Sequence, residues 1–357
     1  MCETGNEEAS RSKPPAGSKV VPVDEAVGMI LPHDITEIRP GEFKGTAFRK
    51  GHVVRDEDID HLKRIGKEHL YVLTIGDDEM HEDDAARLMA RALAGNGVHM
   101  KGEAREGKIN LIAGMDGLLK VNHEALLDFN MLGEVMCATV HNNTAVKKGQ
   151  TVAGTRAIPL VVKKAVLHKA VRIAENAGGI LSLRDIRKPK AGIVITGNEV
   201  YHGKIKDAFE PVITAKIKKY DGEVTGVHFA PDDAKCIEEK IHSLIDAGAD
   251  IIITTGGMSV DPDDVTRYAI RNLGVDRLHY GSPVLPGAMF LVAYLGEIPV
   301  LGIPACGMYA SITVFDLILP RVLSGERIGR KELAELGHGG LCLKCEQCRY
   351  PVCPFGK

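Results

Sequence analysis

From Ala191 onward the chain alternates short, apolar, β-branched runs with helical stretches, and this alternation restricts the fold more than any other feature. The runs at 192–196, 223–229, 251–255, 289–294 and 300–303 read as strands, and 211–220, 231–247, 263–273 and 308–322 read as helices. Pro231 opens one of these helices and Gly274 closes another, as helix termini favour. Strands joined by crossover helices bury both faces. The class is therefore α/β: a three-layer, mostly parallel sheet with helices on both faces, preceded by smaller mixed and β-rich modules. Ligands of such sheets bind outside the carboxyl ends of the strands.

Three strand ends carry polar groups: Thr196-Gly197-Asn198-Glu199, the stretch TTGGMSVDPDD at 254–264, and GIPACGMYAS at 302–311. A short loop at 203–207, ending in Asp207, precedes the first helix. In a parallel sheet these loops converge on one edge. Gly256 and Gly257 let backbone amides approach an anion with no Cβ in the way. Asp261, Asp263 and Asp264 then place carboxylates where an anion is least welcome. Either a metal lies between carboxylate and phosphate, or these residues only cap the helix, with Asp261 as N-cap and Pro262 behind it. Glu199 alone reads equally as a solvated turn residue and Asp207 as a cap. Lys204, Lys206 and Arg267 lie near enough in sequence to pair with phosphate.

ITGNE at 195–199, TTGGMSVDPDDVT at 254–266, PG at 286–287 and GIPACGMYAS at 302–311 resemble the molybdopterin-binding domain of molybdenum-cofactor biosynthesis proteins, the molybdotransferase branch most closely. The resemblance covers about 189–323. EAVGMIL at 25–31 and GHVVRDEDIDHLKRIGKEHLYV at 51–72 resemble pieces of that branch's N-terminal half. It implies a pocket for the pterin dithiolene, its phosphate and Mg²⁺. Carried over by position, Glu199, Asp207 and Asp264 become the catalytic carboxylates, and Thr196, Gly197, Gly256, Gly257, Ser259 and Pro304 the pterin-binding set. The chain departs from the family pattern at Pro304-Ala305-Cys306-Gly307, where proline-glycine-asparagine-proline is usual, and at Asp261, where glycine is usual. No counterpart of the branch's β-rich C-terminal domain or of its aspartate-glycine-tyrosine segment is expected within these residues.

The implied activity is insertion of molybdate into adenylylated molybdopterin. The alternatives are a non-catalytic molybdopterin carrier or sensor, a molybdopterin adenylyltransferase, and a redox-responsive regulator. The implied partners are molybdopterin, molybdate, a second copy of the chain and other cofactor-biosynthesis proteins.

Upstream, 1–18 reads as a disordered tail, 19–77 as a mixed segment, and 78–189 as a helix with a β-rich module, a barrel being one form it could take. The domain at 190–325 follows, then a tail at 326–357. Helical spacing marks 23–31, 57–65, 81–94 and 163–176. Aromatic content of 4%, no Trp and a net charge of -3 argue against nucleic acid and anionic membranes as partners. The polar N-terminus has no apolar core of a secretory signal, so the expected location is cytoplasmic. Four of the eight cysteines, Cys342, Cys345, Cys348 and Cys353, crowd into the last sixteen residues. Such spacing reads as a metal site, either an iron–sulfur cluster or structural zinc, with His338 as a possible extra ligand.

Overall fold

The computed structural model describes residues 18–39, 42–73, 75–258 and 265–356. The described residues form two compact units, one within 18–114, 121–140 and 149–182, the other within 115–120, 141–148 and 183–356.

In the first unit, Ser18–Pro22 pairs antiparallel with His69–Leu73, and Ile35–Arg39 with Phe43–Phe48, over a small core containing Val23, Leu31, Leu62 and Val72. The helix expected over 23–31 is only a 3-10 turn, Val23–Glu25. Gly28 takes φ +82° and sends its amide to Val54, so the helical ladder stops there. The expectation over 57–65 is met by a 3-10 turn, Asp56–Asp58, and the helix Ile59–Arg64, with Gly66 left-handed after it. Helices at Glu82–Leu93 and Lys164–Asn176 form where the periodicity places them.

The β-rich module is an open sheet and not a barrel. Val98–Arg105, Lys108–Ala113, Thr151–Ala157 and Val135–Thr139 lie side by side in that order, and the outer two are not joined. It also contains a helix, His123–Asn130, that the sequence reading passed over. The Asn122 side chain starts it by accepting from the Ala125 amide at 3.1 Å.

The second unit holds the strand–helix alternation. In chain order its elements are β1 (Lys190–Thr196), α1 (Asn198–Tyr201), α2 (Phe209–Lys218), β2 (Glu223–Ala230), α3 (Ala234–Asp246), β3 (Ile251–Thr255), α4 (Thr266–Asn272), β4 (Arg277–Tyr280), β5 (Leu291–Leu295), β6 (Ile298–Ile303), α5 (Val314–Leu323) and α6 (Arg330–Glu335). The sheet runs β2-β1-β3-β6-β5-β4; its first four strands are parallel, β5 pairs antiparallel with β6, and β4 pairs antiparallel with β5.

Both faces of this sheet are buried, because successive residues of one strand enter different cores. Ile193, Ile195 and Ile253 join Ile213 of α2 and Phe315 of α5, whereas Val194 and Ile252 join Ile241 of α3 and Ile270 of α4. Each such side chain contributes about 1.5–3 kcal/mol on full burial, which is why near-continuous apolar runs specify a central strand. The three-layer expectation is borne out.

Helix α5 begins later than the spacing over 308–322 suggests. A reciprocal cap fixes its start: the Phe315 amide donates to Thr313 Oγ1 at 3.2 Å, and the Thr313 amide donates to Asp316 Oδ2 at 2.8 Å. The residues before it, Ala305–Met308, form a 3-10 turn instead.

After α6 the tail closes a loop on itself, with the Gly356 amide donating to the Gly339 carbonyl at 3.0 Å. Phe355 is its anchor, 3% exposed in the core that α2 and α5 share.

Candidate functional site

Strand order decides where a crevice opens. The chain leaves β1 toward β2 on one side and returns to β3 on the other, so the loops after β1 and β3 diverge. At the carboxyl ends of β1, β3 and β6 lies a cavity of about 880 Å³, within the size range of small-molecule sites. Its lining includes Thr196, Glu199, Lys206, Asp207, Gly256, Gly257, Pro286, Gly287, Pro304, Cys306, Cys342 and Lys344. A second depression of about 850 Å³ shares Val200, Ile205, Lys206 and Asp207 with it.

The glycine turn is fixed by packing as well as by conformation. Gly256 and Gly257 take φ +79° and +54°, a region that disfavours any side chain. A Cβ on Gly256 would sit 2.2 Å from the Thr196 carbonyl oxygen, and one on Gly257 would sit 2.3 Å from Thr266 Oγ1. The turn is thereby pressed onto the end of β1 and the start of α4. Thr196, 3% exposed, holds these parts together: its hydroxyl donates to the Thr255 carbonyl at 2.8 Å and lies 2.9 Å from Thr266 Oγ1. Gly197 is buried beside it at φ +135°, where a Cβ would meet the Glu199 carboxylate.

The two carboxylates differ in their engagement. Glu199 is exposed at the crevice, in the single turn α1, and its backbone carbonyl accepts from the amides of Lys204 and Ile205. Asp207 is partly buried, and both its oxygens accept backbone amides at the start of α2: Phe209 at 3.0 Å and Glu210 at 2.8 Å. That is the work of a helix cap. Pro304 is buried and opens the 3-10 turn that carries Cys306. Burial raises the Cys306 thiol above its usual range, which keeps it in the neutral form.

Ser259 and Asp264, with Asp261 and Asp263, lie outside the described residues. Of the basic residues, Lys206 reaches the cavity, while Arg267 stacks its guanidinium over the Tyr280 ring at 4.4 Å.

The expected metals are corrected by the geometry. Among the described residues no three His, Cys, Asp or Glu side chains come together to hold an ion. A zinc or iron–sulfur centre needs its sulfurs converging on one point at bonding distance. Here Cys342 and Cys353 are half-buried against the core, whereas Cys345 and Cys348 are exposed, all four as free thiols. The spacing brings these cysteines close in sequence, but among the described residues they do not form a ligand set. The Mg²⁺ expectation likewise finds no set of carboxylates among the described residues, and Asp264, one of its implied ligands, lies outside them.

Sequence reasoning missed the tail's part in this cavity. Leu341, Cys342 and Lys344 line it together with the glycine turn. The cysteine spacing drew attention to metal ligation, and nothing local in sequence links residue 344 to residue 256.

Residues 192–324 match the family model described as a probable molybdopterin binding domain. Residues 20–74 match one described as a domain of unknown function. Among curated proteins, the CinA-like proteins of Mycobacterium avium (strain 104) and Mycobacterium tuberculosis (strain ATCC 25618 / H37Rv) are 35% and 34% identical over 92 residues, which is 24% of this chain and 21% of each relative. The match thus spans about a fifth of those relatives' length. Among solved structures, the molybdopterin biosynthesis enzyme MoaB from Thermus thermophilus is 23% identical with a TM-score of 0.34, over 39% of this chain and 98% of that one. The tungsten cofactor synthesizing protein MoaB from Pyrococcus furiosus is 18% identical with a TM-score of 0.31, over 40% and 99%. The second unit carries a domain of the molybdopterin-binding family, as the strand-end motifs imply. No described helix is long and apolar enough to cross a membrane.

Proposed function

We propose that this chain binds molybdopterin in the crevice at the carboxyl ends of β1, β3 and β6 and acts as its carrier. The observation that carries this reading is the cavity of about 880 Å³ around the Gly256–Gly257 turn, inside the segment that matches the molybdopterin-binding family. Left-handed glycines present backbone amides to an anionic group, and Lys206 adds a positive charge at the mouth. The apolar parts of Met258, Met289 and Pro304 offer surface to a flat ring. Two observations weigh against molybdate insertion. Asp207, one of its implied carboxylates, spends both oxygens on the cap of α2, and the third loop departs from the family pattern at Ala305-Cys306-Gly307.

One observation favours a second reading. The depression of about 850 Å³ beside the crevice shares Lys206 and Asp207 with it, leaving room for a nucleotide next to the pterin. On that reading the pterin phosphate attacks the α-phosphorus of ATP, the bond to the β-phosphate breaks, and pyrophosphate leaves with its electron pair.

A single experiment separates the two. Purified protein is mixed with molybdopterin and ATP; retained pterin is oxidised and counted by fluorescence, and pyrophosphate is assayed in the same sample. A carrier retains about one pterin per chain and releases no pyrophosphate. An adenylyltransferase releases pyrophosphate in step with pterin consumed. Neither retention nor release contradicts both.

A further inference from the structure

The tail after α6 does not hang from the domain. The Leu285 amide donates to the Gly340 carbonyl at 2.8 Å, and the Cys342 amide donates to the Leu285 carbonyl at 2.8 Å. This short parallel bridge straps the tail to the segment that continues into Pro286 and Gly287, two residues of the cavity wall. The far end is pinned as well: Phe355 fills the core, and the bond from Gly356 to Gly339 closes the loop. Between these anchors Lys344 sits at φ +51°, a left-handed kink unusual for a residue with a side chain. The kink lies on the same cavity as Gly256, Gly257 and Lys206.

We propose that the loop 341–345 is a wall of the ligand pocket and that Lys344 is a specificity-determining residue, pairing with the phosphate ester of the bound pterin. The inference rests on the pterin reading above and adds the group that selects a phosphorylated over an unphosphorylated ligand. The cations of the described lining support it. Asp207 already accepts two helix amides, and Lys206 and Lys344 are the two cationic residues among the described lining residues. No ion pair engages either lysine among the described residues. The two lysines reach the cavity from separate segments of the chain, so a dianionic group can be held between them. Backbone anchors at both ends limit the entropy lost when the loop engages a ligand.

The test uses the full chain and two fluorescent probes, 6-hydroxymethylpterin phosphate and the corresponding alcohol, titrated into the wild type, Lys344→Ala and Lys344→Arg. Loss of an exposed charge-assisted contact is expected to weaken the phosphate probe about five- to tenfold in Lys344→Ala and to leave the alcohol within about twofold. Lys344→Arg restores the phosphate preference. Equal binding of the phosphate probe by wild type and Lys344→Ala overturns the role of Lys344. So does equal weakening of both probes, which would mark the loop as structural. If the wild type binds neither probe, the pterin reading fails and this inference falls with it.

Discussion

The hydroxyls of Thr196 and Thr266 lie 2.9 Å apart, joining the last residue of β1 to the first residue of α4. Because Thr196 gives its proton to the Thr255 carbonyl, Thr266 must be the donor between the two. Both side chains are buried, at 3% and 0% exposure. The pair therefore clamps the two ends of the segment that carries the glycine turn. Thr196→Val keeps the shape and removes both bonds, so it should cost about 1–3 kcal/mol. Urea denaturation of Thr196→Val, Thr266→Val and the double variant gives the coupling, expected at about 0.5–3 kcal/mol. Simple additivity would mean the hydroxyls do not interact.

Gly256→Ala should be worse than either threonine change. The new Cβ would lie 2.2 Å from a backbone oxygen, which cannot rotate away, and would occupy a left-handed conformation at φ +79°. Strain of about 1–2 kcal/mol for the conformation and about 1–3 for overpacking predict a loss of roughly 2–5 kcal/mol and a distorted crevice. A melting curve matching the wild type would show that the turn is not held as described.

These two sites also show what can be read from sequence. The Gly-Gly pair, the strand before it and the polar strand ends were legible because each leaves a local mark: β-branched runs, glycines and helix starts. The fold of the second unit follows from them. Packing partners distant in sequence leave no such mark. Nothing in Thr196 announces Thr266, and nothing in Asp207 shows that both its oxygens go to the amides of Phe209 and Glu210. The cysteine spacing at 342–353 is a real local signal, yet among the described residues the folded tail, closed by the Gly356-to-Gly339 bond, gathers no ligand set from these thiols. The helix His123–Asn130 is hidden because it is short, set among strands, and held by the Asn122 cap and the buried Ala125 and Phe129.

Glu326 gives the chain an acid limit. Burial alone would raise its carboxyl, but Arg321, bonded at 2.7 and 3.1 Å, and Lys120 at 3.0 Å outweigh this and hold it at about 2. On Lys120 burial wins instead and lowers the ammonium, so the coupling is read at the carboxylate. The native pKa lies below the unfolded value of 4.5. The stabilisation is therefore complete above pH 4.5 and disappears as pH falls toward 2, on the order of 3 kcal/mol in all. Glu326→Gln should lower stability at pH 7, leaving the 4%-exposed Arg321 without its charge partner, and should flatten this acid limb. An unchanged slope of stability against pH between 4.5 and 2 would contradict the assignment.

Thiol reactivity should follow the loop's geometry. Cys345 and Cys348 are exposed, whereas burial pushes the Cys137 thiol up to about 12. Iodoacetamide at pH 8, followed by peptide mass spectrometry, should label Cys345 and Cys348 first and Cys137 last. Phe355→Ala removes the anchor, costs about 3–5 kcal/mol locally, and should speed labelling of Cys342 and Cys353 toward that of their exposed neighbours. No change in their rates would mean the tail is not held by Phe355.

The central claim is that the crevice at the ends of β1, β3 and β6 holds a phosphorylated pterin. Its most direct test is equilibrium titration of molybdopterin into wild-type protein and Gly256→Ala, with retained pterin oxidised and counted. The account predicts about one pterin per wild-type chain and a severalfold or greater loss in a Gly256→Ala sample that remains folded. Absence of pterin retention by the wild type, or equal retention by both proteins, would contradict it.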